Sequence, residues 1–216
     1  MSTGIKILNL LFRPNTFFSQ ISKEKENLFL PAIIVLLVPI TALFVSIFYV
    51  ISSNPSSFDT VLGKLYYSLT LNFPFLYLGP LLFWAVASIS IYATSRMFSG
   101  TGSLKVTFQN TGYSILPIAL NIALIEFLTK ITMIAIEQTG DSAFTAFTNH
   151  PLGHLSIILG SYQVFLGFML WSGYLCVRGT VHAHQIPWVK AIIAVGFGFF
   201  MVFLLNLIGM GIMGIY

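Results

Sequence analysis

The chain has 216 residues, of which 56% are hydrophobic and only 7% are charged, and its mean hydropathy is +0.90. Soluble domains carry about 25% charged residues, so this composition excludes a soluble protein and indicates an integral membrane protein. The net charge of +4 comes without basic clusters that interleave with aromatic residues, which argues against a nucleic acid partner. The single cysteine excludes an intrachain disulfide.

The first part of the chain, residues 1–27, is predicted to be a cytoplasmic lead-in of short helices at the membrane interface. Apolar residues recur there at helical spacing before residue 13, and Pro14 stands where a second short helix can begin. Phe17, Phe18 and Ile21 are expected to face the membrane or the bundle. Two interpretations stay open: a lead-in that positions the first span, or a surface for a partner.

Five apolar runs are long enough to cross a hydrocarbon core of about 30 Å. Prolines at 39, 80 and 117 are expected to kink the first three spans, since neighbouring helices satisfy the freed carbonyls in a packed bundle. The predicted fold class is all-α: a polytopic transmembrane helix bundle of five spans with short N-terminal interfacial helices. It forms a single domain over residues 1–216. The runs cover about 28–52, 73–95, 112–136, 152–177 and 188–215.

The basic residues predict the orientation of the bundle. With five spans, eight of the ten Lys and Arg residues fall on one side of the membrane, whereas the opposite loops hold Lys64 alone. Cytoplasmic loops carry the excess of positive charge, so the N-terminus is predicted to be cytoplasmic and the C-terminus external. Contact with anionic lipid is expected on the basic side. The eight residues are Lys6, Arg13, Lys23, Lys25, Arg96, Lys105, Arg178 and Lys190.

The polar stretch SGTGSLK, residues 99–105, separates the second and third spans. It lacks the spacing and the Lys-Ser/Thr ending of a nucleotide-binding P-loop. Gly100 and Gly102 are expected to reverse the chain with positive φ, and Ser103 is expected to cap a short helix. The alternative is a contact with a partner or a lipid phosphate. The candidate contact residues are Arg13, Arg96, Gly100, Gly102, Ser103 and Lys105.

Three polar residues lie within the third predicted span. Glu126 and Lys130 are four residues apart and can pair on one helix face, while Asn121 lies further from the external end. A structural pair and the lining of a polar cavity both stay open, because ionisable residues inside a membrane are functional candidates. Asn121, Gln163 and Asn206 are expected to bond between helices, and Gly153, Gly160 and Gly167 to form a stripe for close helix packing.

The four histidines form two pairs, His150 with His154 and His182 with His184. The two pairs are predicted on opposite membrane faces and neither reaches the three or four ligands of a zinc site, so no metal or other cofactor is predicted. The chain also lacks the common motifs of hydrolases and metalloproteases. It is not expected to be an enzyme.

Three stretches resemble the Yip1 domain family, especially its compact prokaryotic members. They are Arg13-Pro14 with Phe17-Phe18 shortly after, FSGTGSLK over residues 98–105, and Tyr113-Ser114-x-x-Pro117. The resemblance extends over nearly the whole chain and implies five spans with a cytoplasmic N-terminus, in the cell membrane of a prokaryote. Eukaryotic relatives are associated with Rab GTPases and vesicle traffic. This chain lacks their long cytoplasmic tail, which argues against a GTPase partner and leaves a role in vesicle traffic open.

Two functional hypotheses follow from the sequence. The first is a non-enzymatic, membrane-embedded adaptor or organiser in the bilayer that engages proteins or lipids from its cytoplasmic face, with monomer and oligomer both left open. The alternative is a transporter or channel for a small solute or ion, with a polar route near Asn121, Glu126 and Lys130.

Overall fold

The computed structural model describes residues 3–52, 78–139 and 150–212, and within these ranges the regular secondary structure is helical throughout. This confirms the all-α class. Predictions for residues 53–77 and 140–149, and for the side chain of Asn206, lie outside the described residues. The described helices are α1 (Thr3–Phe12), α2 (Pro14–Ile21), α3 (Phe29–Ser52), α4 (Gly79–Met97), α5 (Leu104–Ser114), α6 (Leu116–Thr139), α7 (Pro151–Gly160), α8 (Tyr162–His184) and α9 (Trp188–Ile212).

Four helical segments are long and apolar enough to cross a membrane, and the chain is an integral membrane protein. They are Phe29–Phe48, Leu116–Ile134, Tyr162–His184 and Trp188–Leu205. The predicted second span corresponds to α4, a helix of 19 residues whose last turns carry Thr94, Ser95 and Arg96. Its crossing, and with it the count of five, stays a prediction.

Two predicted spans are divided in the structure. The third is broken at Ile115, between α5 and α6, so Pro117 stands in the first turn of α6, where the missing N–H of a proline costs nothing. The fourth is broken at Ser161, which is extended with φ −60° and ψ 145°. Pro80 likewise stands in the first turn of α4, whereas Pro39 lies inside α3.

The chain divides into two compact units. Unit 1 comprises Met1–Val35, Leu82–Leu116 and Leu170–Tyr216, and unit 2 comprises Leu36–Leu81 and Pro117–Met169. Unit 1 therefore gathers the N-terminal helices with α5, with all of α9 and with parts of α3, α4 and α8. Unit 2 contains most of α6 and all of α7.

The apolar face of α2 packs inside unit 1. The Phe17 ring makes edge contacts with Phe18 and Tyr113, at centroid distances of 5.1 and 5.0 Å. Of the two expectations for this face, the bundle is therefore confirmed and the membrane is not. In α1 the buried side chain is Leu10, whereas Leu8 and Phe12 are exposed. This core comprises Leu10, Phe17, Phe18, Ile21, Ile34, Tyr113, Leu116 and Leu175.

A second core of unit 1 joins α4, α8 and α9. It is formed by Ala87, Ile91, Cys176, Val195 and Val202. The backbone of α9 approaches α4 closely at Gly198, where a Cβ atom would lie 2.7 Å from Ile91 Cγ1. A glycine is needed there because α4 leaves no room for a methyl group.

The predicted glycine stripe of the fourth span is wrong at Gly167. That residue is exposed, and a Cβ atom there would meet no described atom within 4 Å. The break at Ser161 ends the regular repeat that the prediction assumed. In unit 2, α6 and α7 instead meet through a hydrogen bond of 2.8 Å between the Thr129 and Ser156 hydroxyls.

Candidate functional site: the polar end of unit 1

Three chain connections meet at one end of unit 1: the linker 22–28, the loop 98–103 and the turn 185–187. We call this region the polar end. The turn joins α8 to α9, two segments that can cross a membrane, so it lies outside the hydrocarbon core. Thr101 N donates to His184 O at 3.0 Å, and Lys190 Nζ lies 5.8 Å from the centre of the Phe98 ring. The loop 98–103 is therefore fixed at the level of the membrane surface.

Helix α5 connects the elements that meet at the polar end, and most of its polar side chains are buried. Its first turn is capped as predicted: Ser103 Oγ accepts from Val106 N at 3.1 Å. Asn110 Nδ2 donates to Gly179 O of α8 at 2.9 Å. The carbonyl of Phe108 accepts from Trp84 Nε1 of α4 at 2.8 Å. Hydrogen bonds thus position α5 against its neighbours, in addition to the ring contact between Tyr113 and Phe17.

His184 at the end of α8 is fully buried against α5. Thr107 Oγ1 donates to Ser103 O at 3.0 Å and lies 2.9 Å from His184 Nε2. A hydroxyl has one proton, so with that proton on Ser103 O the imidazole Nε2 must be the donor to Thr107. His184 Nδ1 is buried without a hydrogen-bond partner among the described residues.

Gly100 and Gly102 allow the loop to lie directly on α8. A Cβ atom at Gly102 would be 2.5 Å from Ala183 O and 2.9 Å from His184 Nδ1, and one at Gly100 would be 2.7 Å from Ser95 O. The prediction that these glycines reverse the chain with positive φ is wrong. The left-handed residue of the loop is Ser99, with φ 65°. The glycines are needed for close approach.

The linker 22–28 is tied to α5 by Glu26 and Asn27. Ser103 Oγ donates to Glu26 Oε1 at 2.6 Å, and Lys105 Nζ lies 4.0 Å from Glu26 Oε2. Asn27 N donates to Gln109 Oε1 at 3.2 Å. The stretch 99–105 therefore binds a carboxylate of the same chain through Ser103 and Lys105.

The three predicted basic contact residues are all exposed. Arg96 Nη1 donates to Gly100 O at 3.0 Å, so Arg96 helps to shape the loop, and Lys105 stands beside Glu26. Arg13 precedes α2, whose Asn15 Oδ1 lies 2.8 Å from His182 Nε2 of α8. Arg96, Gly100, Gly102, Ser103 and Lys105 thus lie together around the loop 98–103, and Arg13 belongs to the same unit.

The predicted cavity residues lie in unit 2, on α6. Asn121 is 1% exposed, and its two amide atoms find no hydrogen-bond partner within the described part of the chain. Glu126 and Lys130 are half-buried one turn apart. The expected bond between Asn121 and another helix is not seen among these residues.

The histidines act at helix ends. His150 caps α7, because its Nδ1 accepts from Leu152 N at 3.3 Å, and His182 and His184 contact α2 and α5. No group of three or more metal-binding side chains occurs among the residues that the structure describes.

Sequence reasoning missed the buried polar face of α5. Thr107, Asn110, Thr111 and Ser114 recur at helical spacing in a chain that is otherwise apolar, and that spacing is the signal that indicates one polar helix face. The role of His184 has no such signal, because its partners lie 77 residues away in the sequence.

The family model of the Yip1 domain matches residues 8–210. The chain belongs to the Yip1 domain family. Over 117 residues it is 27% identical to an uncharacterized protein of Methanocaldococcus jannaschii, which covers 52% of this chain and 80% of that protein. No solved structure matches the chain. The match confirms the predicted resemblance to this family over nearly the whole chain.

Proposed function

We propose that this Yip1 family protein is a non-enzymatic adaptor or organiser that engages proteins or lipids of the membrane from its cytoplasmic face. Members of the family are generally not enzymes. The observation that carries the proposal is the polar end of unit 1. There the N-terminal helices, the loop 98–103 and the start of α5 form one connected surface with exposed basic side chains.

The construction of that surface supports a binding role. It is held by directional bonds, from Ser103 to Glu26 at the surface and from Thr107 to His184 in the buried layer. Its outer layer presents Arg13, Arg96 and Lys105 to the surroundings. A rigid base under exposed charged groups favours recognition, because little conformational freedom is lost on binding.

The test of the adaptor role is affinity purification from native membranes. A triple variant, Arg13→Gln with Arg96→Gln and Lys105→Gln, is expected to lose a partner that co-purifies with the parent. The matched control replaces Lys23, Lys25 and Lys190 by Gln, which removes the same charge from the same end. An identical set of partners for parent and triple variant would contradict the proposal.

The second candidate function is a transporter or channel for a small solute or ion. The observation that favours it is Asn121, a buried amide without a described partner, on the same helix as the half-buried Glu126 five residues later. Buried amides normally find hydrogen bonds, so a passing solute or water is a fitting partner. Flux into liposomes should fall in Glu126→Gln and in Asn121→Leu. Flux equal to that of the parent in both variants would exclude this route.

A further inference from the structure

Arg178 of unit 1 lies on α8, further from the turn 185–187 than the polar end, on the side of the helix that other parts of the chain do not cover. Arg178 precedes His184 by six residues, which corresponds to about 9 Å along a helix. The headgroup layer on each side of a bilayer is about 5 to 7 Å thick. Arg178 therefore lies near the boundary between the headgroups and the hydrocarbon, and from there its side chain can reach up to the headgroups.

Arg178 is held on this surface by an aromatic neighbour. Its Nε donates to Tyr174 Oη at 3.2 Å, and its guanidinium carbon lies 5.3 Å from the centre of the Tyr174 ring. The hydrogen bond uses one of the five N–H donors of a guanidinium. The planar end of the side chain is thus oriented by Tyr174, and its geometry suits two oxygens of one phosphate.

The polar side chains continue upward from Arg178 to α2. His182 follows one turn later on α8, and its Nε2 lies 2.8 Å from Asn15 Oδ1. Below Arg178 the same helix exposes Tyr174, Leu170 and Trp171, with 66% of Leu170 exposed. The stripe therefore passes from apolar side chains, which fit acyl chains, to polar ones, which fit a headgroup.

We propose that Tyr174 and Arg178 of α8, with Asn15 of α2 oriented by His182, bind the headgroup phosphate of an anionic phospholipid. The excess of basic side chains at the polar end above the site favours a headgroup with net negative charge. The acyl chains lie along Leu170 and Trp171. This site specifies the lipid that the proposed function leaves general, so it rests on that function in this respect, and it uses none of Arg13, Arg96 and Lys105.

The experiment measures lipid binding to the purified full-length protein in detergent by native mass spectrometry. The probes are phosphatidylglycerol and phosphatidylcholine with the same acyl chains. The parent is expected to bind phosphatidylglycerol more tightly. Arg178→Gln should raise the Kd for phosphatidylglycerol about tenfold, since a hydrogen bond to a charged group contributes about 1.5 to 3 kcal/mol. Arg178→Lys keeps the charge but loses the planar guanidinium with its paired N–H donors, so its Kd for phosphatidylglycerol should lie between those of the parent and Arg178→Gln.

The matched control is Lys190→Gln, which removes one positive charge from the polar end without touching the site, and its Kd should rise far less than that of Arg178→Gln. If Arg178→Gln does not fold, Tyr174→Phe tests the same site, because it removes the hydroxyl that orients the guanidinium and should weaken binding. Equal affinity for the two lipids would overturn the proposal, as would equal losses in Arg178→Gln and Lys190→Gln. Competition by inorganic phosphate alone would overturn the assignment to a lipid.

A loss of the co-purifying partner and a loss of lipid binding are separate results. The adaptor proposal fails if its triple variant keeps every partner, and that outcome leaves the affinity for phosphatidylglycerol unaffected. The lipid site fails if Arg178→Gln binds phosphatidylglycerol like the parent, whatever the partners do.

Discussion

At the scale of single residues, the glycines of this chain differ in how much room their surroundings leave for a side chain. Gly102 touches a backbone carbonyl of α8, and Gly198 touches α4, whereas Gly167 and Gly196 meet no described atom within 4 Å of an added Cβ. A flexible side chain can move away from a new methyl group, but the Ala183 carbonyl is part of the α8 backbone. The cost of adding one methyl group should therefore depend strongly on position.

Gly102→Ala is expected to destabilise the protein by about 1 to 3 kcal/mol, the usual cost of overpacking. Its Cβ would lie 2.5 Å from Ala183 O. The control is Gly196→Ala inside α9, which should be neutral or up to about 1 kcal/mol more stable, because alanine is the better helix former. Thermal unfolding in detergent measures both. Equal midpoints for the two variants would show that the loop does not pack closely on α8.

At the scale of elements, α5 is a polar helix inside an apolar protein. It is held by hydrogen bonds to α4, to α8 and to the linker 22–28. Removing one partner of a buried hydrogen bond lowers the stability of the protein, because the other partner is left buried and unpaired. Surface ion pairs contribute little to stability. The two kinds of contact at the polar end should thus respond very differently to substitution.

Thr107→Val retains the shape of the side chain but removes the hydroxyl beside His184 Nε2. Burying that nitrogen without a partner should cost about 1 to 3 kcal/mol. Glu26→Gln at the surface changes the pair with Lys105 and should cost about 1 kcal/mol or less. Chemical or thermal unfolding of the two variants provides the comparison. If Glu26→Gln destabilised the protein more than Thr107→Val, the surface contacts of Glu26 with Ser103 and Lys105 would hold α5 more strongly than the buried contact between Thr107 and His184.

At the scale of the whole molecule, the contacts of unit 1 bear on the topology. Glu26 before α3 bonds Ser103 after α4, and Thr101 before α6 bonds His184 at the end of α8. Residues in contact lie on the same side of a membrane, so an even number of crossings separates each pair. This supports the proposal that α4 crosses and that the chain has five spans.

The topology can be measured with an impermeant thiol reagent on intact cells. In a Cys176→Ala background, Asp141→Cys should be labelled from outside, and Lys23→Cys only after the cells are opened. If α4 does not cross, the loop that contains Asp141 is on the same side as Lys23, and the two positions will react alike. Cys176 itself is buried, so its replacement leaves the surface unchanged.

The sequence by itself determined the class of this protein, its family and the cap at Ser103. Apolar runs must lie in the bilayer because no other environment accepts so many apolar side chains, and the cap depends only on residues three apart. The sequence also marked Arg13, Arg96 and Lys105 as one group by the sign of their charge.

Only the tertiary structure decided how the polar parts are used. Whether Gly102 turns the chain or makes room for a neighbour depends on where Ala183 lies, 81 residues away in the sequence. The breaks at Ile115 and Ser161 and the burial of His184 likewise depend on neighbours in space. Hydropathy measures how apolar a segment is, and the sequence alone is enough to calculate it. Hydrogen bonds between distant segments depend on distances that only the folded chain fixes.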